Sequence, residues 1–253
     1  MKITILGSGT SQGVPVIACD CEVCLSENPK DKRLRSSVMV EVDNKTIIID
    51  TGPDFREQML REKVEKVDAV LFTHEHKDHV AGLDDIRAFN HKWKKDMQIY
   101  ASERVEIALK REFHYVFSGN DYPGIPKINI NTIDSNPFKI GSTKIVPINA
   151  LHYKLPVFGF RINNFVYLTD LSFISEEEKE KIKNADLLIL DALRKKKHIS
   201  HFNLEQALDL IVELKPKKAL LTHISHFMGK HEDVIKELPS HVSPAFDGEE
   251  IFI

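Results

Sequence analysis

The stretch "FTHEHKDHVAGLDD" places His74, His76, Asp78 and His79 in an H-x-H-x-D-H pattern. Imidazole and carboxylate are the usual ligands of borderline divalent metals. The pattern follows directly on an apolar run, "DAVLFT". If the chain turns sharply after that run, His74 and His76 face one point while Asp78 and His79 face another. A second set of metal-capable residues lies near the N-terminus, where "ACDCEVC" holds Cys19, Cys21 and Cys24. These are the only 3 cysteines of the chain. Three thiolates make an incomplete set, because closed zinc sites take four ligands. An extended C-x-C points its side chains to opposite faces, so Cys19 and Cys21 are poorly placed to pair with each other. Reduced thiols available to metal fit a cytoplasmic setting.

Such residues need a scaffold, and the pattern of apolar runs supplies one. "KITIL", "SSVMVEV", "KTIIID", "DAVLFT", "QIYAS", "KIVPIN", "FGFRI", "FVYLTD", "ADLLILD", "KALLTH" and "EEIFI" read as strands, some alternating and some continuously apolar. Five of these runs end in a residue able to do chemistry: Asp50, His74, Asp170, Asp191 and His223. Open sheets gather their sites at strand ends, where loops converge. Helical patterns lie between the strands. "PDFREQMLREK" opens with Pro53, "SERVEIALKREF" opens with Ser102 as a cap, and "SEEEKEKIKN" and "NLEQALDLIVELK" repeat that logic. No linker, low-complexity tract or fixed-period repeat divides the sequence, so residues 1–253 read as one α/β domain of two sheets covered by helices. No apolar run approaches the length of a membrane span, and "MKITILGSGT" reads as a first strand and tight loop rather than a signal peptide. The net charge of −3 argues against a broad phosphate-binding face of the kind nucleic acid needs.

H-x-H-x-D-H after a buried strand resembles the signature of the metallo-β-lactamase superfamily, an αββα sandwich that usually carries two metals. The resemblance implies His74, His76 and His152 on one metal, and Asp78, His79 and His223 on the other. Asp170 in "YLTD" would bridge them, and Asp50 in "IIIDTG" would support the ligands from behind. Two such metals stand roughly 3.5–4 Å apart, lower the pKa of a shared water and clamp the attacking and leaving oxygens. Within the superfamily, C-x-C-x-x-C after a "GSGTSQGVP" loop resembles the PhnP-type phosphodiesterases, which carry a separate structural zinc. That likeness implies His226 in "LTHISH" as the fourth ligand beside Cys19, Cys21 and Cys24. It also implies a general acid just before a helix, His201 in "RKKKHISHFNLEQAL", with His198 as its rival and Asp78 as the other catalytic residue.

The expected function is therefore a metal-dependent phosphodiesterase. Its small substrate would be a cyclic phosphate such as phosphoribosyl 1,2-cyclic phosphate, and its active-site metals Zn or Mn. A tRNA 3′-processing nuclease shares the Gly-rich loop but normally reaches its substrate with a protruding arm that this sequence lacks. The pyrroloquinoline quinone biosynthesis branch shares the cysteine cluster but does oxidative chemistry. No membrane partner is expected, nucleic acid is disfavoured, and a homodimer follows by analogy alone. The run Arg194 to Lys197 reads as a solvated cluster or an added phosphate contact, and His91, His114, His231 and His241 as surface or structural residues.

Overall fold

The computed structural model of the chain describes residues 1–119 and 122–253. Its first sheet comprises β1 (Lys2–Gly7), β2 (Ser37–Val42), β3 (Lys45–Ile49), β4 (Ala69–Leu71), β5 (Met97–Ala101), β6 (Ile128–Thr132) and the last strand of the chain, Glu250–Phe252. The second comprises β7 (Phe138–Ile140), β8 (Thr143–His152), β9 (Leu155–Ile162), β10 (Phe165–Leu168), β11 (Leu187–Asp191), β12 (Lys218–Thr222) and β13 (Val242–Pro244), which makes the closing strand β14. The strand orders are β14-β1-β2-β3-β4-β5-β6 and β13-β12-β11-β10-β9-β8-β7. Each sheet is antiparallel on one side and parallel on the other. The parallel runs are β3 to β6 and β10 to β13.

Burial on the two faces of each strand accounts for the layers. On β11, Leu187 and Ile189 join a cluster with Ile3, Val38 and Ile47 of the first sheet, while Leu188 and Leu190 face the other way. A strand covered on both faces must be apolar throughout, as "LLIL" is. The outer face of the second sheet is covered by the helix Leu204–Leu214 through Leu204, Ala207, Leu210, Ile211 and Leu214. On the first sheet's outer face lie Phe55 and Met59 of one helix (Phe55–Arg61), Phe89 of another (Arg87–Trp93) and Val105 and Leu109 of a third (Glu103–Glu112). The result is the expected αββα sandwich.

The caps of three helices sit where the sequence puts them. Ser102 Oγ accepts from Val105 N–H at 3.3 Å and Ser175 Oγ from Glu178 N–H at 3.3 Å. Asn203 forms a reciprocal box with Gln206 ahead of the helix Leu204–Leu214. The helix expected to open on Pro53 instead begins at Phe55. Asp54 takes the cap position, but its carboxylate is occupied by the Arg35 backbone N–H at 2.8 Å and the Arg35 guanidinium at 3.0 Å. No helix among the described residues is long and apolar enough to cross a membrane.

The parallel strands bring their carboxyl ends to one edge of the sandwich, where loops pack backbone on backbone. Thr51 N–H donates to the His79 carbonyl at 2.8 Å, and Gly82 N–H to the Thr51 carbonyl at 2.9 Å. A Cβ on Gly52 would stand 2.2 Å from the Asp78 carbonyl oxygen. Gly52→Ala must therefore displace the loop that carries Asp78 and His79. Its expected cost is about 2 kcal/mol, in the range of overpacked interiors. That corresponds to a thermal midpoint roughly 4–8 °C lower in a chain of this size, measurable by calorimetry.

Candidate metal centre

Three of the site's side chains hang from strand ends in the left-handed backbone region: Asp50 at φ 65°, Asp170 at φ 54° and His223 at φ 56°. Non-glycine residues held there cost on the order of 1–3 kcal/mol each, so the surrounding structure must enforce them. The turn throws each side chain toward the gap between the two sheets. Asp50, His74 and His79 are wholly buried there, whereas His76 is exposed and Asp78 and His152 are half-buried, which marks the mouth of the site.

The ligands expected for two metals are met unevenly: Asp78, His79, Asp170 and His223 bring their ligand atoms within reach of one ion, whereas His152 is grouped with Asp170 and His201. In the first expected set, His74 Nε2 lies 3.0 Å from His76 Nδ1, and the His152 ring centre stands 5.8 Å from that of His74 and 5.2 Å from that of His76. His152 Nδ1–H donates to the Ser200 carbonyl at 2.7 Å, which leaves its Nε2 lone pair free. Burial first, then the neighbouring His79, pushes His74 well below the ordinary imidazole range, and burial lowers His152 as well. Neutral imidazoles are the form that binds metal.

In the second group, His79 Nε2 stands 3.1 Å from Asp78 Oδ2 and 3.1 Å from Asp170 Oδ2, yet makes no hydrogen bond among the described residues. His223 Nδ1 is also 3.1 Å from Asp170 Oδ2. Tetrahedral neighbours on a metal with bonds of about 2.0–2.1 Å stand roughly 3.3 Å apart, so a buried, unbonded nitrogen at this spacing fits a shared ion. Asp170 turns one oxygen to each side: Oδ2 to His79 and His223, and Oδ1 to His201, 3.9 Å from its Nδ1.

Asp50 lies behind both groups. Its Oδ2 accepts from His79 Nδ1–H at 2.7 Å and from the Thr73 hydroxyl at 2.8 Å, and its Oδ1 from Thr73 N–H at 2.9 Å. His201 is buried with its Nδ1–H donating to Asp191 Oδ2 at 3.0 Å. Burial alone would lower its pKa, but Asp191, Asp170 and Asp78 more than offset that and raise it to about 9. His201 also stands over His152 at 4.5 Å and His223 at 4.9 Å between ring centres. His198, 5.2 Å from His201, sits in a loop rather than one helical turn away, and burial followed by His201 lowers its pKa. Asp191 was legible as a strand end but gained no role from sequence. Thr73 gained none at all, although "FTH", "LTD" and "LTH" repeat threonine ahead of each strand-end ligand.

The cysteine loop reaches the site through His226. Its Nδ1 lies 3.3 Å from Cys19 Sγ, 3.4 Å from Cys21 Sγ and 3.4 Å from Cys24 Sγ. Bonds of about 2.3 Å to sulfur and about 2.0 Å to nitrogen place tetrahedral neighbours roughly 3.5 Å apart, so the four atoms fit one zinc. The Cys24 backbone N–H is the first cause that draws the Cys21 thiol down to about 6, while burial pushes Cys24 up to about 11. The loop between β1 and β2 is laced to the exit of β12, since Thr10 N–H donates to the Ile224 carbonyl at 3.1 Å and Ile224 N–H to Ser8 at 2.9 Å. Of the histidines without an expected role, His91, His114 and His241 are exposed. His231 is buried, and its backbone N–H donates to Asp31 at 2.7 Å. Arg194 turns back onto the carbonyls of Lys196 at 3.2 Å and Lys197 at 2.9 Å.

Cys21→Ser is expected to remove one bound zinc per chain and to weaken metal at His223, three residues from His226. Elemental analysis of the purified variant beside the wild type reads both; an unchanged zinc content contradicts the grouping.

Residues 45–224 match the family described as Beta-lactamase superfamily domain. The chain is 40% identical over its full length to a protein named octanoyltransferase from Porphyromonas gingivalis strain W83, of which it spans 52%. It is 40% identical to a solved structure titled as a new diphosphatase from the PhnP family, with a TM-score of 0.93 over 99% of this chain and 96% of that one. Zinc-bound PqqB from Methylobacterium extorquens superposes with a TM-score of 0.80 over 100% of both chains at 18% identity, a likeness of fold alone. The two sheets, the histidine and aspartate groups at their joined edge and these matches place the chain in the metallo-hydrolase branch of the β-lactamase superfamily.

Proposed function

We propose that the chain hydrolyses a phosphoester linkage in a small substrate, a cyclic phosphodiester such as phosphoribosyl 1,2-cyclic phosphate being the first reading. The observation that carries it is His201, anchored through Nδ1 to Asp191 and standing at the face of the His/Asp cluster. Divalent ions held by the two groups would lower the pKa of a bound water and neutralise charge on the phosphoryl oxygens. The protein's own part is then positional. His74, His76 and His152 would hold one ion and Asp78, His79 and His223 the other, with Asp170 beside both. With Nδ1 given to Asp191, His201 has its other proton free for a departing alkoxide. His198, lowered in pKa and accepting from the Ser200 N–H at 3.4 Å, is the poorer donor. Asp78 is half-buried at the mouth with Oδ2 3.1 Å from His79 Nε2, the position of a ligand beside it.

A second reading, cleavage of a linear diphosphate, is favoured by the 40% likeness to the PhnP-family diphosphatase. The same proton from His201 would serve a phosphate leaving group. Octanoyl transfer is not carried over from the P. gingivalis relative, because this chain spans 52% of it and all three of its thiols lie against His226. Reduced thiols in that set suit a reducing compartment.

Purified protein supplied with Mn²⁺ or Zn²⁺ should turn over phosphoribosyl 1,2-cyclic phosphate or a nucleoside diphosphate derivative, and leave a pre-tRNA intact. His201→Ala should lower kcat by about 10²–10⁴-fold with little change in metal content, as loss of a general acid does. Cleavage of neither small substrate by metal-loaded protein would overturn the reading.

A further inference from the structure

The buried carboxylate of Asp50 faces only one of the two ligand groups directly, through His79 Nδ1 at 2.7 Å. Its contact with the other group passes through a single atom. Thr73 Oγ1 stands 2.8 Å from Asp50 Oδ2 and 3.0 Å from His74 Nδ1. We propose that Thr73 is a positioning residue, its hydroxyl relaying the Asp50 carboxylate to His74 so that one buried acid orients a ligand in each of the two metal positions. The inference rests on the ligand assignment made above.

Proton bookkeeping fixes the direction of the relay. An ionised carboxylate accepts only, so the one hydroxyl proton of Thr73 goes to Asp50. Toward His74 the hydroxyl can then only accept, which places the imidazole proton on Nδ1. His74 Nε2 is left bare, and it is this atom that meets His76 Nδ1 at 3.0 Å. His79 is set in the same tautomer without an intermediary, and its Nε2 is the nitrogen aimed at Asp78 and Asp170. Partners of this kind fix ring orientation and ligand basicity, and their loss typically costs 10–100-fold in metal affinity. Thr73 also holds the strand end, since its backbone N–H donates to Asp50 Oδ1 at 2.9 Å. That backbone bond survives any side-chain substitution, so the hydroxyl can be tested apart from it.

The relay makes the two positions separable. Thr73→Val keeps the side chain's shape and removes the hydroxyl. It should weaken metal at the His74, His76 and His152 position by about 10–100-fold. The His79 position and the Cys₃His zinc should stay at wild-type affinity. Thr73→Ser should restore the first position, and Asp50→Asn should weaken both. Titration of chelator-stripped protein with Zn²⁺, followed by calorimetry and by competition with a chromophoric chelator, reads each step without any substrate. Thermal midpoints of the stripped proteins show whether each variant folds. The proposal is overturned if stripped, folded Thr73→Val binds Zn²⁺ as the wild type does, if it loses both positions equally, or if Thr73→Ser fails to restore the first. A wild type that takes up zinc only at the cysteines would overturn the ligand assignment itself, and the relay with it.

Discussion

Everything at the joined edge of the sandwich depends on holding carboxylates out of water. Asp50 is fully buried and Asp170 nearly so, with 0% and 2% of their surface exposed. Burying an isolated carboxylate costs far more than any single contact returns, so each must be surrounded by donors or cations. Asp50 is met by three hydrogen bonds, two from Thr73 and one from His79. Asp170 receives the Thr169 hydroxyl at 2.7 Å and faces His79 and His223. His79, which donates to Asp50 through Nδ1, keeps its other nitrogen for the side of Asp78 and Asp170. Solving the burial problem therefore also arms the ligands. The left-handed backbone at Asp50, Asp170 and His223 is tolerated because these contacts over-determine it.

The cysteine cluster extends the same logic across the chain. Cys19, Cys21 and Cys24 belong to a long connection between β1 and β2 that has little apolar core of its own beyond Val14, Val23 and Cys24. Such a loop needs either a cross-link or extensive pairing to stay ordered. It has both: backbone bonds between its Ser8 and Thr10 and Ile224 after β12, and the three thiols closing on His226. His223 and His226 follow β12 three residues apart, so the same short loop joins the cysteine set to the His/Asp edge.

The central strands were readable because burial on both faces demands continuous apolar runs, as in "KTIII" and "LLIL". Short spacing made H-x-H-x-D-H and C-x-C-x-x-C stand out as clusters, whereas His152, Asp170, His223 and His226 lie far from them in sequence and were implied only by the family resemblance. Three of the elements that escaped have a physical reason. β6 is "ININT", an edge strand whose isoleucines are only partly buried and whose asparagines, a type depleted in strands, bond to Gln98. β13 is "VSP", three residues ending in a proline that only a sheet edge accepts. The helix His231–Glu237 buries only His231 and Val234, too few apolar positions for a period to show. The roles of Asp191 and Thr73 were hidden for a different reason. Both act through another side chain, and a contact between a threonine and an aspartate 23 positions apart leaves no mark in one sequence.

Three metal positions are proposed: between His74, His76, His152 and Asp170, between Asp78, His79, His223 and Asp170, and among Cys19, Cys21, Cys24 and His226. Anomalous diffraction from crystals of the metal-loaded protein, collected at the zinc and manganese edges, tests this most directly. The account predicts strong peaks at all three, with the two at the His/Asp edge about 3.5–4 Å apart and sharing Asp170. A single peak at the cysteines, with the histidines joined only by hydrogen bonds, would contradict it.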